Sequence, residues 1–301
     1  MTKPESLLKP SIELSVAAIF WGFGFIATIW ALQSLAPAAI IFYRFIISFV
    51  LGLITLRLRG PLDWKFLRRE MWTASWAGIF LGSCLFLQTW GLQFTTATNS
   101  GFITTLYVVF VPLLERLFFK TKLVALHWVC VALALVGTVF ILQMDRLVLN
   151  VGDLFTLACA VAASMQIIYV SWVKNKTGHP MSFNTFQSLW AAIPFFILGQ
   201  FTGGSWNLLA LRGLPFWGMV SLTLGSTFFA FMLQIKAQAR MSSALASLFF
   251  LLESPFSCLF AVLLLGEQVS FMQAVGASLI LISCFLAARA EAMRPVVLPA
   301  A

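Results

Sequence analysis

Apolar residues in this chain come in long, nearly unbroken runs. They do not alternate as in a strand, nor do they form the narrow stripe of a surface helix. Ten such runs can be drawn, roughly at 12–32, 37–57, 72–94, 99–119, 123–143, 151–173, 182–201, 214–235, 241–264 and 270–289. A bilayer core of about 30 Å takes about 20 apolar residues as a helix, so each run is long enough to cross it. The seventh is interrupted by Gln187 and Pro194. The connectors are short and leave no room for a soluble catalytic domain. The pattern predicts an all-α polytopic membrane protein with ten transmembrane helices.

Composition agrees. The 301 residues are 61% apolar and 10% charged, with a mean hydropathy of +0.97. Soluble domains are about 45–50% apolar and about 25% charged. A soluble enzyme, a disordered regulator and a nucleic-acid module are therefore excluded as first readings. The net charge of +9 would suggest an anionic partner in a soluble protein. Here its placement along the chain matters more. With the N-terminus inside, sixteen basic residues fall on one side: Lys3 and Lys9; Arg57, Arg59, Lys65, Arg68 and Arg69; Arg116, Lys120 and Lys122; Lys174 and Lys176; Lys236 and Arg240; Arg289 and Arg294. Only Arg146 and Arg212 fall opposite, and Arg44 lies inside a run. Lysine and arginine favour cytoplasmic loops, so both termini are expected in the cytoplasm of a multi-pass protein of the cell inner (plasma) membrane. The first run is longer than a signal-peptide core and reads as an uncleaved anchor. The Asn175-Lys176-Thr177 sequon then faces the cytoplasm and is not expected to be glycosylated.

Two segments share a pattern. One runs from Asn99 to Pro112 and the other from Ser242 to Pro255; each opens on small polar residues and reaches a proline 13 positions later. Each is followed by a small residue in matching context, Gly137 and Ser283, at distances of 25 and 28, so this match needs a three-residue gap. It also pairs Glu253 with Phe110. The halves would be 1–145 and 146–301, each with five helices. Five is odd, so the second half must insert upside down, which gives two inverted five-helix repeats (5+5). Inverted repeats are a recurrent plan of secondary transporters, with the substrate site at their interface.

At this point the residues resemble a known family, the EamA-type branch of the drug/metabolite transporter superfamily. The resemblance rests on Trp21-Gly22 and Phe25 in the first run, Ala39 with Arg44-Phe45 in the second, and Gly152-Asp153 with Leu157 opening the sixth. It is completed by Pro255, Leu264-Leu265-Gly266-Glu267 and Gly276 with Leu279-Ile280 in the second half. It covers nearly the whole chain and lies in the order and spacing of the motifs. There are departures: Lys120-Thr121-Lys122 stands where the first half would carry Gly-Glu, position 283 is Ser, and no tryptophan lies near Ala163. The resemblance implies a central path lined by spans 1, 3, 4, 6, 8 and 9, and export or exchange of small metabolites such as amino acids.

Charged residues inside the runs are costly and point to function or to a specific structural partner. Arg44 could anchor a substrate carboxylate or form a gate, or it could bond backbone carbonyls. Glu253, two residues before Pro255, could carry a proton for coupling, meet a cationic group, or bond backbone freed by that proline. Glu115 and Arg116 read as a solvated helix end, and Glu267 as a surface or capping residue. The path candidates are Trp21, Phe25 and Thr28, which share one face at i, i+4 and i+7, with Gln88, Tyr107, Gln166, Tyr169 and Trp190. Packing explains the aromatics equally well, whereas an unbonded amide in hydrocarbon costs several kcal/mol. Pro112, Pro194 and Pro255 are expected to kink their helices. Gly78 and Gly82, like Ser221 and Gly225, have the small-xxx-small spacing of close helix contacts.

Other chemistry is not encoded. Gly22-x-Gly24-x-x-Ala27 mimics a dinucleotide fingerprint but lies inside an apolar run with no preceding strand. There is no P-loop, no HExxH, and only His127 and His179; the five cysteines form no CxxC. No metal, cofactor or nucleic-acid partner is expected, and the chain is not expected to be an enzyme. The expected partners are a small-molecule substrate, the lipid bilayer and, for coupling, a proton, with the chain a monomer or homodimer. The expected function is secondary-active transport by alternating access. A lipid-like flippase, a channel and an integral membrane enzyme stay open as alternatives. The charge asymmetry has a direct test. A C-terminal fusion to green fluorescent protein is expected to fluoresce, and one to alkaline phosphatase to be inactive; the reverse result contradicts the assigned orientation.

Overall fold

A computed structural model describes residues 8–61, 63–119, 125–141, 150–241 and 243–292. Lys3, Lys120, Lys122, Arg146 and Arg294 of the charge pattern lie outside them. Among the described residues all regular structure is helical. The first half holds α1 (Leu8–Leu32), α2 (Pro37–Leu58), α3 (Trp64–Thr73), α4 (Ser75–Gly91), α5 (Ala97–Thr104), α6 (Tyr107–Phe119) and α7 (Ala125–Ile141). After it come α8 (Val151–Val173), α9 (Pro180–Thr202), α10 (Gly213–Val220), α11 (Ala230–Gln238), α12 (Ser243–Phe250), α13 (Glu253–Leu265) and α14 (Phe271–Ala292). A π-helical stretch, Ser221–Phe229, joins α10 to α11. Five helical runs are long and apolar enough to cross a membrane: Leu8–Leu32, Pro37–Leu58, Ala97–Phe118, Val151–Val173 and Gly213–Gln238. Shorter apolar helical stretches are Trp128–Gly137, Glu253–Leu265 and Phe271–Ser283.

The bundle is apolar outside and polar inside. Large side chains such as Ile54, Val136, Phe196, Leu263 and Phe285 are exposed, while Gln88, Asn184, Gln187, Gln234 and Gln238 are buried. Water as solvent would reverse this arrangement; lipid favours it, because hydrocarbon offers a polar group no partner.

Two features depart from the runs read in the sequence. The connector after α2 is itself a helix, α3. Asp63 caps it by accepting from the Lys65 amide at 2.9 Å, and Trp64, Lys65, Arg68 and Arg69 are all exposed. Its buried Glu70 accepts from the Gly178 amide at 2.8 Å and the Ser182 hydroxyl at 3.1 Å, which fastens α3 to the start of α9. The run expected at 72–94 is therefore split, and its main helix, α4, begins at Ser75. The second departure is that the runs at 99–119 and 241–264 are both broken. The first pauses at Thr105 and Leu106 and the second at Leu251 and Leu252. These pauses, rather than the prolines, interrupt the helices. Pro112 lies within α6, and Pro255 sits in the first turn of α13, where an amide hydrogen has no helical acceptor to lose. α9 continues through both Gln187 and Pro194.

The two breaks recur with one spacing. The break at Thr105 and Leu106 and the start of α6 at 107 recur 146 residues later, as the break at Leu251 and Leu252 and the start of α13 at 253. This register replaces the proline-to-proline match. It removes the three-residue gap between Gly137 and Ser283, and it pairs Glu253 with Tyr107 instead of Phe110. α7 and α14 pack on each other, as do α2 and α9. A Cβ on Gly137 would lie 2.7 Å from the Gly276 carbonyl oxygen, and the Ser283 hydroxyl donates to the Cys130 carbonyl at 2.5 Å. Residues 137 and 283, and 130 and 276, are 146 apart, so the two contacts exchange partners under the same spacing.

Gly137 marks the tightest part of that contact, since its added Cβ would also meet the Ile280 Cγ1 at 2.8 Å. Overpacking of this kind costs about 1–3 kcal/mol. Gly137→Leu is expected to lower the Tm of the detergent-purified protein by several degrees, with Gly137→Ala falling between it and wild type. An unchanged Tm for the leucine variant contradicts the α7–α14 packing.

Candidate functional site

A cavity of about 60 Å³ lies within the bundle. Trp21 of α1, Gln88 of α4, Gln166 of α8 and Gln234 of α11 line it, together with four residues that flank the two helix breaks. Thr104 ends α5 and Tyr107 begins α6; Phe250 ends α12 and Glu253 begins α13. The same 146-residue spacing relates Thr104 to Phe250 and Tyr107 to Glu253. The breaks therefore bring equivalent positions of two segments to one cavity.

The aromatic wall is built on Trp21. Its ring lies 5.2 Å from both Phe231 and Phe250 between centroids. Its indole N–H donates to the Ser226 carbonyl at 3.2 Å, and the Ser226 hydroxyl donates back to the Phe20 carbonyl at 2.8 Å. This exchange ties α1 to the π-helical stretch. Such stretches occur mostly as single-turn bulges within α-helices, and here side chains of other helices bond to it. Asn184 Nδ2 donates to the Phe228 carbonyl at 3.1 Å, and Arg44 Nε donates to the Thr227 hydroxyl at 2.7 Å.

The polar wall is a chain of buried amides. Gln234 Nε2 donates to Gln166 Oε1 at 3.0 Å and to Gln238 Oε1 at 2.8 Å. Gln166 Nε2 donates to Gln187 Oε1 at 3.0 Å, and Gln187 Nε2 to Asn184 Oδ1 at 3.3 Å. The chain crosses α11, α8 and α9 and ends on the π-helical carbonyl. On the facing side Gln88 Nε2 donates to the Thr104 hydroxyl at 3.3 Å. Glu253 is buried, and among the described residues its carboxylate makes no hydrogen bond or ion pair.

Polar contacts join helices at both ends of the bundle. At one end Glu13 of α1 pairs with Lys236 at 2.7 Å and with Arg240, both at the close of α11. There the Ser243 hydroxyl at the start of α12 donates to Glu115 at 2.6 Å, so Glu115 does more than end a solvated helix. At the other end Glu267 caps α5, accepting from the Ala97 and Thr98 amides at 2.9 and 3.1 Å. Thr95 donates to Asp153 at 2.6 Å and Gln273 to Asn99 at 2.9 Å beside it.

Of the residues singled out in the sequence, Trp21, Gln88, Tyr107, Gln166 and Glu253 meet at the cavity. Phe25 packs instead with Ile26, Leu92, Ala97 and Ala261. Thr28 bonds its own helix, donating to the Gly24 carbonyl at 2.7 Å. Tyr169 donates to the Thr73 carbonyl at 3.1 Å and Trp190 to the Met71 carbonyl at 2.9 Å, so both hold the end of α3. Arg44 is buried against Thr227 and the Phe45 ring and does not line the cavity. Sequence reasoning missed Gln234, Phe231, Phe250 and Thr104. The Gln234/Gln238 spacing of four was the available signal, hidden by its closeness to Lys236 and Arg240, which reads as a helix end in water.

Among the described residues no cluster of three His, Cys, Asp or Glu side chains could hold a metal. Cys84 and Cys159 lie with sulfurs 3.4 Å apart as free thiols.

The model of the EamA-like transporter family matches residues 11–143 and again 150–289. An uncharacterized transporter of Archaeoglobus fulgidus is 30% identical over 284 residues, covering 93% of this chain and 85% of that relative. A second uncharacterized transporter from the same organism is 24% identical, covering 94% of this chain and 99% of the relative. A solved crystal structure with 17% identity aligns at a TM-score of 0.67 over 95% of this chain and 99% of that one, which shows a common fold. With these matches and its apolar, lipid-suited exterior, the chain belongs to the EamA-like transporter family and is a multi-pass membrane protein.

Proposed function

We propose that this protein is a secondary-active transporter of small amphipathic metabolites, working by alternating access between two inverted five-helix halves, 1–145 and 146–301. The observation that carries this reading is the site where the two broken helices meet. Equivalent residues of both segments face one cavity there, which is how inverted-repeat transporters build a substrate site. The exchange of partners between α7 and α14 and the double match to the family model support the same division. Ten spans follow if α4, α7, α9, α13 and α14 cross the bilayer with the five longer runs. The charge pattern supports an inner-membrane protein with both termini on the cytoplasmic side.

The cavity's size supports alternation. Ligand pockets usually measure about 300–1,000 Å³, and about 60 Å³ holds only a few waters. A substrate can enter only if the walls part. The contacts that hold the two ends differ, Glu13 with Lys236 and Arg240 at one and Glu267 on α5 at the other, so either end can open while the other stays shut. The paired small residues Gly78 and Gly82 allow α4 to ride closely on α9, where Trp190 Cβ and the Ala191 backbone lie against them. Export of amino acids or related compounds is the direction and substrate range that the family resemblance suggests.

Glu253 is the residue placed to couple transport to a proton. It lines the cavity and makes no hydrogen bond or ion pair among the described residues, and the matching position of the other segment holds Tyr107, which has no carboxylate. Proteoliposomes with a panel of radiolabelled amino acids and small amines, with and without an imposed pH gradient, provide the test. The wild type is expected to accumulate at least one panel member when a gradient is applied. Glu253→Gln is expected to lose accumulation about tenfold while keeping exchange of label at equal concentrations. Saturable flux of no panel member contradicts the transporter reading, and full gradient-driven accumulation by Glu253→Gln contradicts the proton role.

A further inference from the structure

We infer that the central cavity selects a protonated amine carried on an apolar or aromatic body, and disfavours ligands with a carboxylate. The inference rests on the transporter reading only for how a ligand reaches the cavity; the recognition itself follows from the groups that line it.

The cavity presents acceptors that the protein leaves open. One is Glu253, whose carboxylate has no hydrogen bond or ion pair among the described residues. The other is Gln234 Oε1, which is buried and has no hydrogen-bond partner among the described residues. Its orientation is fixed by the amide chain. Gln234 Nε2 faces two oxygens, those of Gln166 and Gln238. Turning the amide over would set oxygen against oxygen at both contacts. The other amide oxygens along the chain, those of Gln166, Gln187, Asn184 and Gln238, each accept a hydrogen bond. Gln234 is the head of the chain, and its oxygen is the acceptor left over. A buried acceptor without a donor is costly, and a ligand that supplies the donor removes that cost.

An ammonium group suits this arrangement. It carries up to three donors and no acceptor, so it can meet Glu253 and Gln234 together. The rings of Trp21, Phe231 and Phe250 stand on the same cavity, and aromatic faces attract a cation and cover an apolar body. A carboxylate finds no such partner, since no Lys, Arg or His side chain lines the cavity. Arg44 is held against Thr227, and Lys236 and Arg240 are taken up by Glu13. The ammonium of a zwitterionic amino acid would be satisfied, but its carboxylate would be buried beside Glu253 without a counter-charge, which is strongly unfavourable. This narrows the proposed substrate range from amino acids to amines.

Three probes share a phenyl ring and differ in their charged groups: phenethylamine, phenylalanine and phenylacetate. Thermal stability of the full-length detergent-purified protein is measured with each at one concentration, and uptake of each labelled compound is measured in proteoliposomes. Phenethylamine is expected to raise the Tm and to be taken up. Phenylalanine and phenylacetate are expected to bind at least about tenfold more weakly, and Glu253→Gln to weaken phenethylamine about tenfold or more. The wild-type series decides the matter alone where the variant does not fold. Equal or tighter binding of phenylalanine or phenylacetate, or binding of none of the three, overturns the inference. Uptake of phenylalanine without phenethylamine would leave the transporter reading standing and overturn the amine site. Phenethylamine binding without uptake of any probe would do the opposite.

Discussion

In a lipid environment a hydrogen-bonding group has to find its partner inside the protein. The bundle is organised around that constraint. Its outer face is given to apolar side chains, and the polar residues are gathered in the centre, where they satisfy one another. The amide chain from Gln234 through Gln166 and Gln187 to Asn184 shows the consequence most clearly. It links three helices, and it ends on a carbonyl of the π-helical stretch, where ordinary helical bonding is disturbed. Arg44 and Trp21 reach the same stretch from other helices. The irregular backbone is thus held in place by side chains that themselves needed partners.

The constraint also explains why the cavity is the place for function. Two groups left unengaged among the described residues, the Glu253 carboxylate and Gln234 Oε1, belong to residues that line the same small space. The two segments that carry the helix breaks share a spacing and differ in chemistry. The shared spacing puts Tyr107 opposite Glu253 and Thr104 opposite Phe250, so one break offers hydroxyls and the other a carboxylate beside an aromatic ring. α2 and α9 both open on a proline, Pro37 and Pro180, and counting from these aligns Arg44 with Gln187. The first half spends that buried position on the π-helical stretch and the second on the amide chain. An arrangement with like backbones and unlike side chains can move about an axis while binding an asymmetric ligand.

Much of this was legible in the sequence, and the limits have physical causes. Membrane-suited helices and the family were readable because long apolar runs and the order of short motifs survive without knowledge of contacts. Trp21, Gln88, Tyr107, Gln166 and Glu253 were readable as polar or aromatic residues where hydrocarbon penalises them. Phe25, Thr28, Tyr169 and Trp190 satisfied the same criterion but bond or pack elsewhere, because periodicity gives a helix face and not the neighbour of that face. The helix breaks were not readable. Thr105-Leu106 and Leu251-Leu252 carry no glycine or proline, and the nearby prolines drew the match to a register three residues off. α3 was hidden because Lys65, Arg68, Arg69 and Glu70 leave it too few apolar residues to register as a run.

The central claim is that the two ends of the cavity open in turn. The direct measurement is double electron–electron resonance on two spin-labelled pairs in lipid nanodiscs. One pair, at exposed Ile12 and Ala239, spans the end closed by Glu13; the other, at exposed Gln93 and Gln268, spans the end closed by Glu267. As pH or phenethylamine concentration is changed, the account requires one distance distribution to lengthen as the other shortens. Two distributions that stay fixed, or that lengthen together as in an open channel, would contradict it.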